Sequence, residues 1–180
     1  MAAPLEPRRT LREFQAHLTQ RLQSASSETL ASKLGVACGG LRWLVDLTEV
    51  SEVVTDASVT PVPWVQPWFG GVANVRGTLY GCTDLAAFLG LPTDGAWGQT
   101  RLLLVHPRLG MNAALKVEET LGLHNPAQLQ ESARPHVLNG HALDFVRRSW
   151  LDAQAITWLE LDVARLVTSA RFLDVLATIR

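Results

Sequence analysis

Lysine is almost missing from this chain. Of its 16 basic residues only Lys33 and Lys116 are lysines, and the rest are arginines. The planar guanidinium stacks and donates bidentately, which suits contacts between proteins, although codon usage alone produces the same bias. A positive excess is missing too. The formal net charge is −1, so nothing suggests an electrostatic grip on nucleic acid or anionic lipid, which would need a basic excess. The two cysteines, Cys38 and Cys82, are too few for a disulfide scaffold; they sit among small or apolar neighbours, as buried thiols do. No stretch reaches the roughly 18 uninterrupted apolar residues of a membrane-spanning helix. Met1–Arg12 is charged and contains prolines, without the apolar centre of a signal sequence. A reduced, cytoplasmic compartment is the expectation.

Catalytic signatures are absent as well. The phosphate-binding pattern G-x-x-x-x-G-K-S/T does not occur, and the glycines between Gly70 and Gly77 do not fit G-x-G-x-x-G. Neither HExxH, CxxC nor GxSxG is present. Among His17, His106, His124, His136 and His141, only the last two approach metal-ligand spacing, and they lack cysteine or carboxylate company. Glu118 and Glu119 point to opposite faces if they lie on a strand, as a solvated pair would. No catalytic residue, metal or cofactor is expected. The rival from another class is an enzyme with an unrecognised site near His136 and His141.

What is present is a folded chain. It has 180 residues, 47% of them hydrophobic and 18% charged, enough for one domain with room for two lobes. Thr10 and Glu13 form a capping box, and Leu11, Phe14, Leu18, Leu22 and Ala25 follow on one stripe. Residues 1–33 are therefore read as an amphipathic helical extension, packed on its own domain or on a partner. From Leu34 the period changes. Leu34–Cys38 and Arg42–Val45 read as strands joined by a Gly39-Gly40 turn. Glu49–Val54 fits a helical turn or a strand equally. Asp56–Pro63 reads as a loop, Asp84–Leu89 as a short helix stopped by Gly90, and Arg101–Val105 with Asn112–Glu118 as a hairpin. Ala155–Leu161 reads as a strand, after which Asp162 caps a terminal helix. Many short strands without βαβ alternation point to a mainly β fold. Trp64 and Trp68 flank Pro67, where they either anchor a partner or close the core.

The central segment carries the strongest signal. Val62-Pro63, then Gly71-Val72, Asn74, Arg76-Gly77, Asp84-Leu85 and Gly90 stand in the order and spacing of the CheW-like domain signature, which this chain resembles. Upstream, Glu49-Val50-Ser51-Glu52-Val53 resembles another element of that family. The resemblance spans roughly Leu34–Val175, and the domain is placed at residues 34–176. It departs from the family pattern at Gly81, Lys116 and Thr120. The helical extension leans toward the PilI-like branch of type IV pilus chemosensory systems.

The resemblance implies two five-stranded, SH3-like β-barrel subdomains around a shared core, with N-terminal and C-terminal helices. It implies a non-catalytic adaptor in the cytoplasm, associated with membrane-anchored receptor arrays. The adaptor would couple the helical tip of a chemoreceptor to the regulatory domain of a CheA-like histidine kinase, with twitching motility as output. A kinase-regulatory module acting without a receptor is the alternative. Val50, Glu52, Gly71, Asn74, Arg76 and Gly77 match the family's binding element. The residues themselves suggest how: Gly71 and Gly77 bracket a turn, Asn74 bonds its own backbone, and Arg76 projects to a partner or staples the loop.

Overall fold

The computed structural model describes residues 32–97, 101–133, 138 and 140–177. The expected helix over Leu11–Ala25 and the histidines His17 and His136 lie outside the described residues.

Among the described residues, twelve strands form two six-stranded sheets. The first sheet starts with a hairpin of β1 (Lys33–Cys38) and β2 (Leu41–Asp46). Gly39 and Gly40 turn it, at φ 63° and 72°, the positive values that a two-residue hairpin loop requires. β9 (Glu119–His124) pairs with β1 on the outer side. On the other side β12 (Thr157–Leu161) runs parallel to β2, followed by β11 (Val146–Leu151) and β10 (Gln130–Ser132). The second sheet runs in the order β3 (Val50–Thr55), β7 (Arg101–Val105), β8 (Ala113–Val117), β6 (Thr78–Asp84), β5 (Phe69–Val75) and β4 (Val59–Thr60).

Side-chain alternation divides the interior into three. In β7, Leu102 and Leu104 pack with Ala73, Cys82 and Ala114 on one face of the sheet. Leu103 and Val105 turn to the opposite face and join a larger cluster. β2 does the same: Leu44 packs with Trp150 and Trp158, while Trp43 and Val45 enter the larger cluster. That cluster receives residues from both sheets, so the molecule has one shared core and a small core of its own in each lobe. Trp43 is fully buried, a contribution of about 2–3 kcal/mol from apolar area alone.

Three short helices close the shared core. Asp84 caps α1 (Leu85–Leu89) by accepting from Ala87 N–H at 3.1 Å, and Gly90 ends it at φ 72°. Asp162 caps α2 (Val163–Thr168) by accepting from Arg165 N–H at 2.9 Å. Ser169 then caps α3 (Ala170–Leu173), which inserts Phe172. Trp68 closes the same core, stacked 6.0 Å from Phe172 and edge-on to Phe88 at 5.1 Å.

The mainly β fold of two lobes around a shared core stands. Each sheet holds six strands where five were expected, and the sixth in each is its shortest edge: β4 with two residues and β10 with three. β4 falls within the segment read as the loop Asp56–Pro63. Glu49–Val54 resolves as strand from Val50 onward.

Candidate partner-binding surface on the β5–β6 hairpin

β5 and β6 pair antiparallel, with Asn74 opposite Leu79 and Val75 opposite Thr78. Only Arg76 and Gly77 are left to make the turn, at φ 51° and 87°. Positive φ at both positions is the mirror-image geometry that follows the twist of the strands. Gly77 adopts it without strain; Arg76, with a Cβ, does not do so freely. Asn74 secures the turn by accepting from Gly77 N–H at 2.8 Å. The expectation of a turn bracketed by Gly71 and Gly77 is thus corrected. Gly71 and Asn74 lie in strand β5, and the turn comprises Arg76-Gly77 alone.

The Arg76 guanidinium meets Glu52 in a bidentate pair, Nη1 to Oε2 at 2.9 Å and Nη2 to Oε1 at 2.7 Å. Glu52 lies on β3, the opposite edge of the sheet from β4. Across a flat sheet, four strand spacings would separate β3 from β5 by roughly 19 Å. A side-chain pair at 2.7 Å therefore requires the second sheet to curl toward closure. The Arg76 side chain is still 78% exposed, against 33% for Glu52. An ion pair this open to water contributes at most about 1 kcal/mol, so it orients the arginine more than it stabilises the fold.

Four of the six expected residues, Glu52, Asn74, Arg76 and Gly77, come together at this hairpin tip. Leu79, opposite Asn74 and 61% exposed, adds an apolar edge that sequence reasoning passed over. The other two residues are buried. Val50 is 6% exposed and belongs to the shared core. Gly71 is buried against β4 at φ 130°, where a Cβ would lie 2.0 Å from Thr60 O. Its role is to let the β4 backbone approach β5. Val50 and Gly71 are thus enclosed in the fold and not exposed at the tip.

Two buried polar clusters support this surface, and sequence reasoning found neither. Glu49, 4% exposed, accepts from Arg147 at 2.9 Å and from Ala164 N–H at 3.3 Å, while its own carbonyl accepts from His106 N–H at 2.8 Å. It thereby ties β11 and α2 to the start of β3. In the second cluster Lys116 pairs with Asp84 at 2.9 Å, both nearly enclosed. Asp84 also accepts from the Thr93 hydroxyl at 3.0 Å, and the Lys116 ammonium lies 5.2 Å from the centre of the Trp97 ring. Trp97 rests on Gly70, where a Cβ would meet its ring at 2.1 Å. The departure at Lys116 is thus the anchor of the loop that follows α1.

Burial pushes both thiols up, Cys82 to about 11 and Cys38 further, in keeping with the small buried side chains expected. His141 is exposed on a short 3₁₀ turn over Gly140–Phe145. Among the described residues no group of three or more His, Cys, Asp or Glu is placed to hold a metal ion. None of the helices among them is long and apolar enough to cross a membrane.

Comparison with known proteins gives likenesses of three kinds. A family model described as CheW-like domain matches residues 33–171. Protein PilI of Pseudomonas aeruginosa is 37% identical over 94 residues, which is 52% of this chain and 52% of that protein. The chain thus matches about half the length of this curated relative. The crystal structure of scaffolding protein TtCheW from Thermoanaerobacter tengcongensis superposes with a TM-score of 0.63 at 19% identity, covering 78% of this chain and 94% of that one. At that identity the likeness is one of fold.

Proposed function

The chain belongs to the CheW-like domain family, and on that premise we propose that it is a non-catalytic adaptor coupling a chemoreceptor to a CheA-like histidine kinase. The receptor's cytoplasmic helical tip docks at Glu52, Asn74, Arg76 and Gly77, and the kinase's regulatory domain binds the same rigid body. Receptor state then biases kinase state because each partner favours one arrangement of the shared assembly. The output of the coupling is type IV pilus twitching, a reading supported by the likeness to PilI. The adaptor works from the cytoplasm, beside membrane-anchored receptors.

The observation that carries this reading is the geometry of Arg76. A non-glycine residue is kept at φ 51°, clamped through its guanidinium, and still 78% exposed at a hairpin tip. Such a group is oriented before a partner arrives, which lowers the ordering cost of binding. The test is a pull-down of the cognate receptor tip and kinase by the Arg76→Glu variant, with a melting curve alongside. Receptor capture should fall at least tenfold while the melting temperature moves by no more than about 4 °C, as expected for loss of an exposed ion pair. Undiminished capture by the folded variant would remove Arg76 from the contact.

A further inference from the structure

A second exposed feature lies at the other end of β5. Trp68 is buried in the shared core, but Trp64 is 70% exposed. Trp64 takes φ 62°, uncommon for so bulky a residue, and the C-terminal segment keeps it there. Ala177 N–H donates to Trp64 O at 2.9 Å, Gln66 N–H to Val175 O at 2.8 Å, and Gln66 Nε2 to Leu176 O at 3.0 Å. Val65 and Leu176 complete an antiparallel bridge. The resulting ribbon also exposes Leu176, 70% to solvent.

Near this ribbon lies a recess of about 400 Å³ lined by Gln66, Pro67, Trp68, Ala87, Arg171 and Asp174. The Arg171 guanidinium lies 4.9 Å from the centre of the Phe88 ring, and its enclosed Nη1 meets no hydrogen-bond acceptor among the described residues. Arg171 has no carboxylate partner among them either. An aromatic face attracts the charge but accepts no conventional hydrogen bond; the enclosed Nη1 is out of an incoming group's reach, so Nε and Nη2, which make no hydrogen bond to a described residue, are the donors left for a partner.

We propose that the ribbon and recess form a second docking surface, which takes a partner segment carrying a carboxylate next to large apolar side chains. The carboxylate pairs with Arg171, and the apolar side chains cover Trp64 and Leu176. Tryptophan and arginine are among the residue types that dominate binding energy at protein interfaces. Asp174, exposed at the rim, is a like charge that the incoming carboxylate must pass. The surface is separate from the Arg76 tip: the seven residues of β5 put roughly 20 Å between them. Both can be occupied at once.

A displayed library of random 12-residue peptides, panned against the full chain, tests this. Enriched peptides should combine Asp or Glu with Phe, Leu, Ile or Trp. Their affinity, read by fluorescence polarisation, should fall tenfold or more in Trp64→Ala and in Arg171→Gln. It should rise in Asp174→Asn and stay unchanged in Arg76→Glu, so the outcome does not depend on the hairpin reading. Where Arg171→Gln fails to fold, Arg171→Lys keeps the charge over Phe88 and loses the planar fork, and a loss of at least threefold is expected. No enrichment, peptides without acidic residues, or affinity indifferent to Trp64 and Arg171 would overturn the proposal. So would sedimentation showing a dimer of this chain that Trp64→Ala dissociates, which would give the face to a second copy.

Discussion

Glu52 engages two of the donors of Arg76, and the guanidinium fork has others left for a partner. Staple and contact are therefore compatible, and a charge exchange separates them. In the double variant Glu52→Arg with Arg76→Glu the ion pair reforms with its sense reversed. If Arg76 only staples the hairpin, receptor binding returns to the level of the unaltered chain. The expected outcome is a melting temperature within about 4 °C of the original with binding still reduced at least tenfold, measured by calorimetric titration with the receptor tip. Gly71 gives a second residue-scale prediction. Its Cβ position is occupied by Thr60 O, and φ 130° disfavours any side chain. Gly71→Ala should cost about 2–3 kcal/mol in urea unfolding, as β4 is forced from β5.

The loop after α1 depends on a buried charge that its strand neighbours do not share. Lys116 stands in β8 between Leu115 and Val117, both in the shared core, and reaches Asp84, the cap of α1. Removing one partner from an enclosed pair leaves the other charge uncompensated. Lys116→Met should therefore destabilise the chain by about 3 kcal/mol, and hydrogen exchange should rise first in α1 and in Leu91–Trp97. At this scale the sequence was unevenly legible. The β1–β2 hairpin was plain from Gly39-Gly40, and α1 from Asp84 and Gly90, because a turn or cap needs those residue types locally. β11 was invisible, since a bulge between Val146 and Arg148 breaks its alternation. β5 was mistaken for part of a turn because Gly70 and Gly71 are residues that strands usually avoid. They are required there by Trp97 and Thr60, contacts made only after folding.

Across the whole molecule, two lobes share one core, and two carboxylates of the first lobe carry a pH signature. Burial works against the charged form of Asp46, but hydrogen bonds from Thr48 and Lys33, with the charge of Lys33, outweigh it and hold the carboxyl below its ordinary range. Asp152 is held low by the Trp158 indole N–H and by backbone donors. A carboxylate depressed in the folded state adds stability above its unfolded pKa, near 4, and loses it as pH falls through the folded value. Thermal melts should thus be flat from pH 7 to 5 and fall steeply below about pH 4. Asp46→Asn should melt lower at pH 7 and show a shallower acid limb. The two-lobed β architecture was legible through the family resemblance and the strand-length periodicity. The Arg76–Glu52 pair was not, because 24 residues separate its partners and only the curl of the sheet brings them together.

As proposed, this chain bridges a chemoreceptor and a histidine kinase. The direct measurement mixes purified receptor tip and cognate kinase, with and without the chain, and follows complex size by sedimentation velocity. A ternary species should appear only when the chain is present and disappear with Arg76→Glu. A receptor–kinase complex that forms equally well without the chain, or a chain that binds neither partner, would contradict it.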